Sequence, residues 1–299
     1  MYSELIDLLP AERIRKNEPM KDHTSFAIGG PADLMLVTEN VEELRKAVAF
    51  CHANNMKFFI FGLGSNILVR DKGIRGVVIK LGNNFNQLRV NNEQISAEAG
   101  ISLSHLAKAA LQYELSGLEF AEGIPGSLGG AIFMNAGAYG GEMKDILLEV
   151  TTIDHDGTIK KYTPDEMLMS YRKSIFQLNG HIIVSAVIKL KKDKKESIKA
   201  RMDDFARRRQ EKQPLDYPSA GSTFKRPPNF FVGPMIEELG LKGYQIGGAQ
   251  VSSKHAGFII NAGNASARDV LDLITHIQKK VKERYGVELQ TEIKVIGEE

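Results

Sequence analysis

A single cysteine, Cys51, among 299 residues excludes an intrachain disulfide and any multi-cysteine metal site. At an apolar position of an expected helix, Cys51 reads as a packed thiol. The seven histidines are scattered, with neither an HExxH run nor a His-x-His pair, so no zinc spacing is present and no metal is expected. No GxSxG elbow marks a serine hydrolase. A net charge of +2 gives no global argument for nucleic acid as a partner. No apolar run reaches membrane-spanning length. The opening MYSELIDLLP carries acidic residues and lacks the basic-then-apolar pattern of a secretory signal. The expectation is a cytoplasmic protein with neither a nucleic-acid nor a membrane partner.

What is present is glycine, and it is concentrated. Seven of the 28 glycines fall in Gly123 to Glu142, reading GIPGSLGGAIFMNAGAYGGE, which is almost free of charge. Glycine is tolerated where the backbone must turn sharply or approach a ligand closely. Main-chain N–H groups gathered around phosphate oxygens are one reading; a buried turn that merely packs is the other. Phe58 to Val69, FFIFGLGSNILV, places Gly62, Gly64, Ser65 and Asn66 after an apolar run suited to a buried strand. This is neither a Walker loop nor the GxGxxG fingerprint that opens a helix. Ser25 to Asp33 adds Gly29, Gly30 and Pro31, and the three loops together suggest one extended ligand.

The length allows two or three modest domains. Val41, Leu44, Val48 and Cys51 predict a helix capped by Asn40, followed by strands over 57–61, 67–69 and 77–81. Short strands over 88–90 and 94–99 and a helix over 103–115 come next. A hairpin over 149–162 turns at Asp156-Gly157, and Thr163, Pro164 and Glu166 open a short helix. After a strand over 181–190, Ile198, Met202 and Phe205 space one side of a charged helix. Its Arg207, Arg208 and Arg209 read as a solvated face, since no aromatics interleave them. Pro214 to Gly221 reads as a linker. Beyond it are a short helix at 235–239, strands at 249–252 and 257–261, and a helix lined by Val270, Leu273, Ile274, Ile277 and Val281 that stops at Gly286. The closing VELQTEIKVIG alternates as one strand, with Glu288, Gln290, Glu292 and Lys294 on its polar side.

Three polar segments remain. SYRKSIFQ holds Arg172, GSTFKRPP puts Ser222 in a tight turn beside Lys225 and Arg226, and Glu292 lies on the last strand. From the residues alone each also reads as an ordinary surface arginine, turn serine or solvated carboxylate.

Taken together and in register, these segments resemble the UDP-N-acetylenolpyruvoylglucosamine reductase family. The resemblance runs from His23-Thr24-Ser25-Phe26 through GLGSNILV, the long glycine stretch, SYRKSIF and GSTFKRP to the C-terminal TEI. It implies an α/β (α+β) fold: an FAD-binding fold of the vanillyl-alcohol-oxidase-like type in two subdomains, 1–81 and 82–200. A C-terminal α/β domain, 201–299, would bind the UDP-sugar. The implied reaction is NADPH-dependent reduction of UDP-N-acetylglucosamine enolpyruvate to UDP-N-acetylmuramate in peptidoglycan precursor synthesis, by a monomer whose domains close over the substrate. FAD would be non-covalent, since no histidine sits in the loops. Its expected contacts are Gly62, Gly64, Ser65, Asn66, Gly123, Pro125, Gly126, Ser127, Gly129, Gly130, Asn135 and Gly137. By resemblance Ser222 is the proton donor, Arg172 the active-site arginine and Glu292 the acid that stabilises the enol. Lys225, Arg226, Gln250 and His255 are the candidates for the UDP-sugar.

The chain departs from some members of that family in two places. Arg226 stands where one branch carries asparagine, leaving a diphosphate contact and a surface role both open. Leu289-Gln290-Thr291 precedes the acid where many members have a second glutamate and a proline. A short C-terminal domain leaves no room for a tyrosine-bearing insertion, which points to the compact subtype. A related flavin oxidase and a catalytically silent UDP-sugar-binding protein are the competing readings.

Overall fold

In the computed structural model, which describes residues 3–299, the helix Val41–Ala53 starts at Asn40, whose side chain accepts the Glu43 amide at 3.0 Å. The Glu43 carboxylate takes the Glu39 amide at 2.8 Å and the Arg13 guanidinium at 2.7 Å. Leu44, Ala47, Val48 and Cys51 form its buried side, and burial pushes the Cys51 thiol up to about 11. The packed-thiol reading therefore holds. The helix Leu103–Gln112, capped by Ser102, stops short of the expected 115. Glu114 takes a left-handed φ of 57°, and Leu115–Ser116 pairs instead with Lys191–Lys192 as a short antiparallel ladder.

The mixed α/β chain divides into two units, each with its own apolar core. The first takes the described residues up to Lys16, Leu34–Leu63 and Gly76–Arg208. Its antiparallel sheet runs in the order Ile159–Tyr162, Leu147–Ile153, Ile182–Lys189, Gln94–Glu98, Leu88–Asn91. The expected hairpin is there, with Gly157 at φ 80° and the Asp154 carboxylate accepting the Asp156 and Thr158 amides. Phe58–Phe61 runs parallel to 77–80, so the apolar run before the GLG turn is a strand as expected. The short helix Leu128–Phe133 packs on Ile182–Lys189 and Gln94–Glu98, burying Leu128, Ala131 and Ile132.

The second unit takes Asn17–Asp33, Gly64–Arg75 and Arg209–Glu299. Its antiparallel sheet is ordered Ser219–Ser222, Phe258–Asn261, Ala249–Val251, Gln245–Ile246. The helix Ala267–Tyr285 buries Val270, Leu273, Ile274, Ile277 and Val281. A reciprocal Ser266–Asp269 capping box opens it, and Gly286 at φ 69° closes it. Ile67–Val69 pairs in parallel with Lys294–Ile296.

Four expectations change in detail. The closing segment is a regular strand only over Lys294–Ile296, although its burial still alternates through Leu289 and Ile293. The segment after Thr163 is a 3-10 turn, Asp165–Met167, with Glu166 accepting the Thr163 amide at 2.8 Å. Of the arginine cluster, Arg207 and Arg208 pair with Asp204 on the helix surface, but Arg209 is buried. Finally, a Cβ at Gly30 would lie 2.0 Å from the Asp71 carbonyl oxygen, so backbone packing, with no ligand involved, accounts for that glycine.

Candidate active site

In the first unit the glycine stretch is partly fixed by the chain itself. The Leu128 amide donates to Ile101 O at 2.9 Å, the Gly129 amide to Ala99 O at 2.8 Å, and the Ala131 amide to Ser127 O at 2.9 Å. Ser127 Oγ accepts the Gly130 amide at 3.4 Å. The amides of Gly126 and Ser127 take part in none of these bonds. Gly123 and Gly126 sit at φ 72° and 151°, where L side chains are disfavoured. At Gly62 a Cβ would lie 2.6 Å from Ser127 Oγ, so the start of the GLG turn packs directly on the stretch. A backbone bare of side chains, with amides left over, fits a pyrophosphate oxygen surface; the cofactor expected from the sequence is compatible with it.

Asn135 does not offer its side chain to a ligand. Fully buried at φ 42°, it donates to Glu142 Oε2 at 2.8 Å and Ser170 O at 3.1 Å and accepts the Lys144 amide at 3.0 Å. Any cofactor contact from this position uses the backbone.

The same bond ties SYRKSIFQ to the glycine stretch. Ser170 and Lys173 exchange backbone hydrogen bonds at 3.1 and 3.0 Å, leaving Tyr171 and Arg172 at the tip of a two-residue turn. Arg172 has φ 56°, a left-handed conformation that costs an L residue roughly 1–2 kcal/mol. Hydrogen bonds of about 1 kcal/mol each outweigh that cost together: the two within the turn, Asn135 to Ser170 O, and Gln177 Nε2 to Arg172 O at 3.1 Å. The Arg172 guanidinium points back to the Gly137 carbonyl at 3.5 Å and lies 5.2 Å from the Tyr171 ring centroid. Strained backbone of this kind clusters at functional sites.

In the second unit three distant motifs converge. The Thr223 carbonyl accepts the Glu292 amide at 2.8 Å, and the Gln290 carbonyl accepts the Lys225 amide at 2.8 Å. Phe224 bridges Thr291 antiparallel between them, so Ser222 to Lys225 lies alongside 290–292. Asn66 Nδ2 donates to the Glu292 carbonyl at 3.3 Å, and Asn66 O accepts the Lys294 amide at 2.9 Å. The Ser25 amide donates to Gly64 O at 3.2 Å, and Ser25 Oγ to Ser219 O at 2.7 Å. Gly64 to Asn66, the serine strand and the C-terminal acid are thus one hydrogen-bonded assembly within the second unit. Ser222, expected in a tight turn, is instead the exposed last residue of the strand Ser219–Ser222, which also takes up the end of the segment expected as a linker. Burial lowers the Lys294 ammonium below its ordinary value and the charge of Lys225 lowers it further, which sets two cations near one another here.

The remaining substrate candidates are less united. Arg226 stacks 3.8 Å from the Phe231 ring centroid and donates to Phe230 O at 3.3 Å. Gln250 donates to Gln245 Oε1 at 3.2 Å across the sheet. His255 Nδ1 accepts the Gly257 amide at 3.0 Å, which puts its proton on Nε2. Burial lowers its pKa, and its ring sits edge-on to Phe258, whose backbone pairs with Ser222. Reading the sequence did not single out Gln177 or Thr223 individually. Thr223 is buried with its Oγ1 accepting the Ile259 amide at 3.1 Å, and only the fold reveals that.

Among the described residues no group of histidine, cysteine and carboxylate side chains could hold a metal ion, and no helix is long and apolar enough to cross a membrane.

A family model described as an FAD binding domain matches residues 32–163. A second, described as the C-terminal domain of UDP-N-acetylenolpyruvoylglucosamine reductase, matches residues 213–296. The first covers the glycine stretch and Gly62 to Asn66; the second covers Ser222, Lys225, Arg226 and Glu292; Arg172 falls between them. A UDP-N-acetylenolpyruvoylglucosamine reductase of Syntrophomonas wolfei subsp. wolfei is 62% identical over 299 residues, covering 100% of both chains. Another, from Caldanaerobacter subterraneus subsp. tengcongensis, is 54% identical, covering 100% of this chain and 98% of its own. The crystal structure of UDP-N-acetylenolpyruvylglucosamine reductase from Thermus caldophilus superposes with a TM-score of 0.80 at 39% identity, over 93% of this chain and 97% of that one.

Proposed function

The chain belongs to the UDP-N-acetylenolpyruvoylglucosamine reductase family, and from that premise we propose that Arg172, Ser222 and Glu292 carry the chemistry of its site. It is an FAD-dependent oxidoreductase that reduces UDP-N-acetylglucosamine enolpyruvate to UDP-N-acetylmuramate in peptidoglycan synthesis, with NADPH as hydride donor. When bound, FAD supplies the two-electron hydride store between NADPH and the enolpyruvyl ether. The residues that would hold it, through main-chain groups, are Gly62, Gly64, Ser65, Asn66, Gly123, Pro125, Gly126, Ser127, Gly129, Gly130, Asn135 and Gly137. The holding is non-covalent.

Hydride arriving at the methylene carbon leaves negative charge on the adjoining carbon and its carboxylate. Arg172 offers that carboxylate a planar guanidinium fork on a turn whose backbone is already locked. Ser222 gives its hydroxyl proton to the carbon. A serine is a weak acid, but a carbanion is basic enough to take the proton, and Lys225 eases the alkoxide left behind. Glu292 stabilises the enol form of the same carboxyl group. The observation that carries these roles is the backbone pairing of Thr223 with Glu292, which fixes the strand of the serine to the segment of the acid.

Residues 1–81 and 82–200 are read as the FAD-holding part and 201–299 as the UDP-sugar part. Lys225 and Arg226 would face the diphosphate, with Gln250 and His255 toward the rest of the UDP-sugar, in a cytoplasmic monomer. The test is anaerobic: NADPH should bleach the yellow protein, and UDP-N-acetylglucosamine enolpyruvate should restore the colour. Recolouring by oxygen but not by the enolpyruvyl compound would instead favour an oxidase.

A further inference from the structure

We propose that Gln177 is a positioning residue for the reduction, holding the Arg172 turn in its reactive shape. The proposal rests on the role given above to Arg172. The Gln177 side-chain amide has two hydrogens, and two carbonyl oxygens receive them: Phe133 O at 2.7 Å and Arg172 O at 3.1 Å. Only the NH₂ end of the side chain fits between two acceptors, so the orientation of the amide is fixed by its surroundings. Met134 Sδ lies at 3.9 Å as a weak third neighbour.

These partners define what the contact does. Phe133 is the last residue of the helix at the core of the glycine stretch, and its carbonyl also accepts Ser174 Oγ at 2.7 Å. Gln177 therefore bridges that helix end to the carbonyl of the one residue in the turn whose side chain is charged and whose φ is left-handed. Asn135 holds the other side of the turn through Ser170 O. The Arg172 peptide is thereby kept from relaxing to an extended φ, which would swing the guanidinium away from Gly137. Gln177 itself touches no reacting group; it acts through Arg172.

The experiment uses full-length protein loaded with FAD and follows both steps anaerobically, in Gln177→Met, Arg172→Ala and the double variant. Gln177→Met should leave bleaching by NADPH within about twofold and slow recolouring by the enolpyruvyl substrate roughly 10- to 100-fold, mostly in kcat. In the Arg172→Ala background the same substitution should cost less than about twofold more, since its effect runs through the arginine. Amide hydrogen exchange over residues 168–175 should accelerate in Gln177→Met, a readout that needs no turnover. If Gln177→Met does not fold, Gln177→Asn, still a double donor but one methylene short, carries the same expectations. An equal loss in both backgrounds, or unchanged recolouring with Gln177 altered, would overturn the proposal. Unchanged recolouring in Arg172→Ala would overturn the role of Arg172 itself, which is a different outcome.

Discussion

The amide of Glu292 donates to the carbonyl of Thr223 at 2.8 Å, one residue beyond Ser222. Sixty-nine positions separate these partners in the chain, counted from 292 − 223, so nothing local pairs them. The pairing is flanked by Lys225 with Gln290 on one side and by Asn66 on the Glu292 carbonyl on the other. The proposed proton donor and acid, carried on neighbouring backbones, keep their relative placement without help from flexible side chains.

Gly62 is glycine because Ser127 fills the space. Gly62→Ala puts a Cβ 2.6 Å from Ser127 Oγ, and overpacking of this kind costs about 1–3 kcal/mol. Ser127→Ala removes that oxygen but also the helix cap, at about 1 kcal/mol. The double variant should lose clearly less stability than the sum of the two single ones, as read from denaturant midpoints. Strictly additive losses would show that the contact is not what excludes a side chain at 62.

Cys51 gives a pH signature. Its folded thiol is pushed from 9.0 up to about 11, so between those values the folded chain keeps a proton that the unfolded chain releases. The contribution is whole below about pH 9 and falls away as pH rises through 11, by at most about 3 kcal/mol. Cys51→Ala should remove that alkaline slope, and the native thiol should resist alkylation at pH 8. Fast labelling of the folded protein would contradict the burial.

Arg226 is bound to its neighbours through Phe230 and Phe231. If it also meets the diphosphate, Arg226→Ala should raise KM for the UDP-sugar roughly tenfold with little change in kcat. A lower unfolding midpoint with KM unchanged would restrict it to pinning that segment.

The helices were legible because their apolar spacing and end signals are local: Asn40 and Gly286 do what their residue types predict. The glycine stretch was legible as backbone brought close to something, but density of glycine does not say to what. At Gly30 that something is the backbone of Asp71, whereas Gly123 and Gly126 are set apart by their positive φ of 72° and 151°. Arg172 carried no local signal, because its left-handed turn depends on Asn135 and Gln177, 37 and 5 positions away (172 − 135 and 177 − 172). Ser222 and Glu292 read as ordinary surface positions for the same reason, since Thr223 meets Glu292 only once their distant segments have come together. Resemblance supplied their roles, and long-range hydrogen bonding supplied their arrangement.

The central claim is that Ser222 acts in the second step and not the first. It is tested most directly by stopped-flow absorbance of anaerobic Ser222→Ala, with both steps followed in one preparation. Bleaching by NADPH should stay within about twofold of the unaltered protein, while recolouring by UDP-N-acetylglucosamine enolpyruvate should slow by roughly 10²–10⁴. An equal loss in both steps, or no loss in the second, would contradict the account.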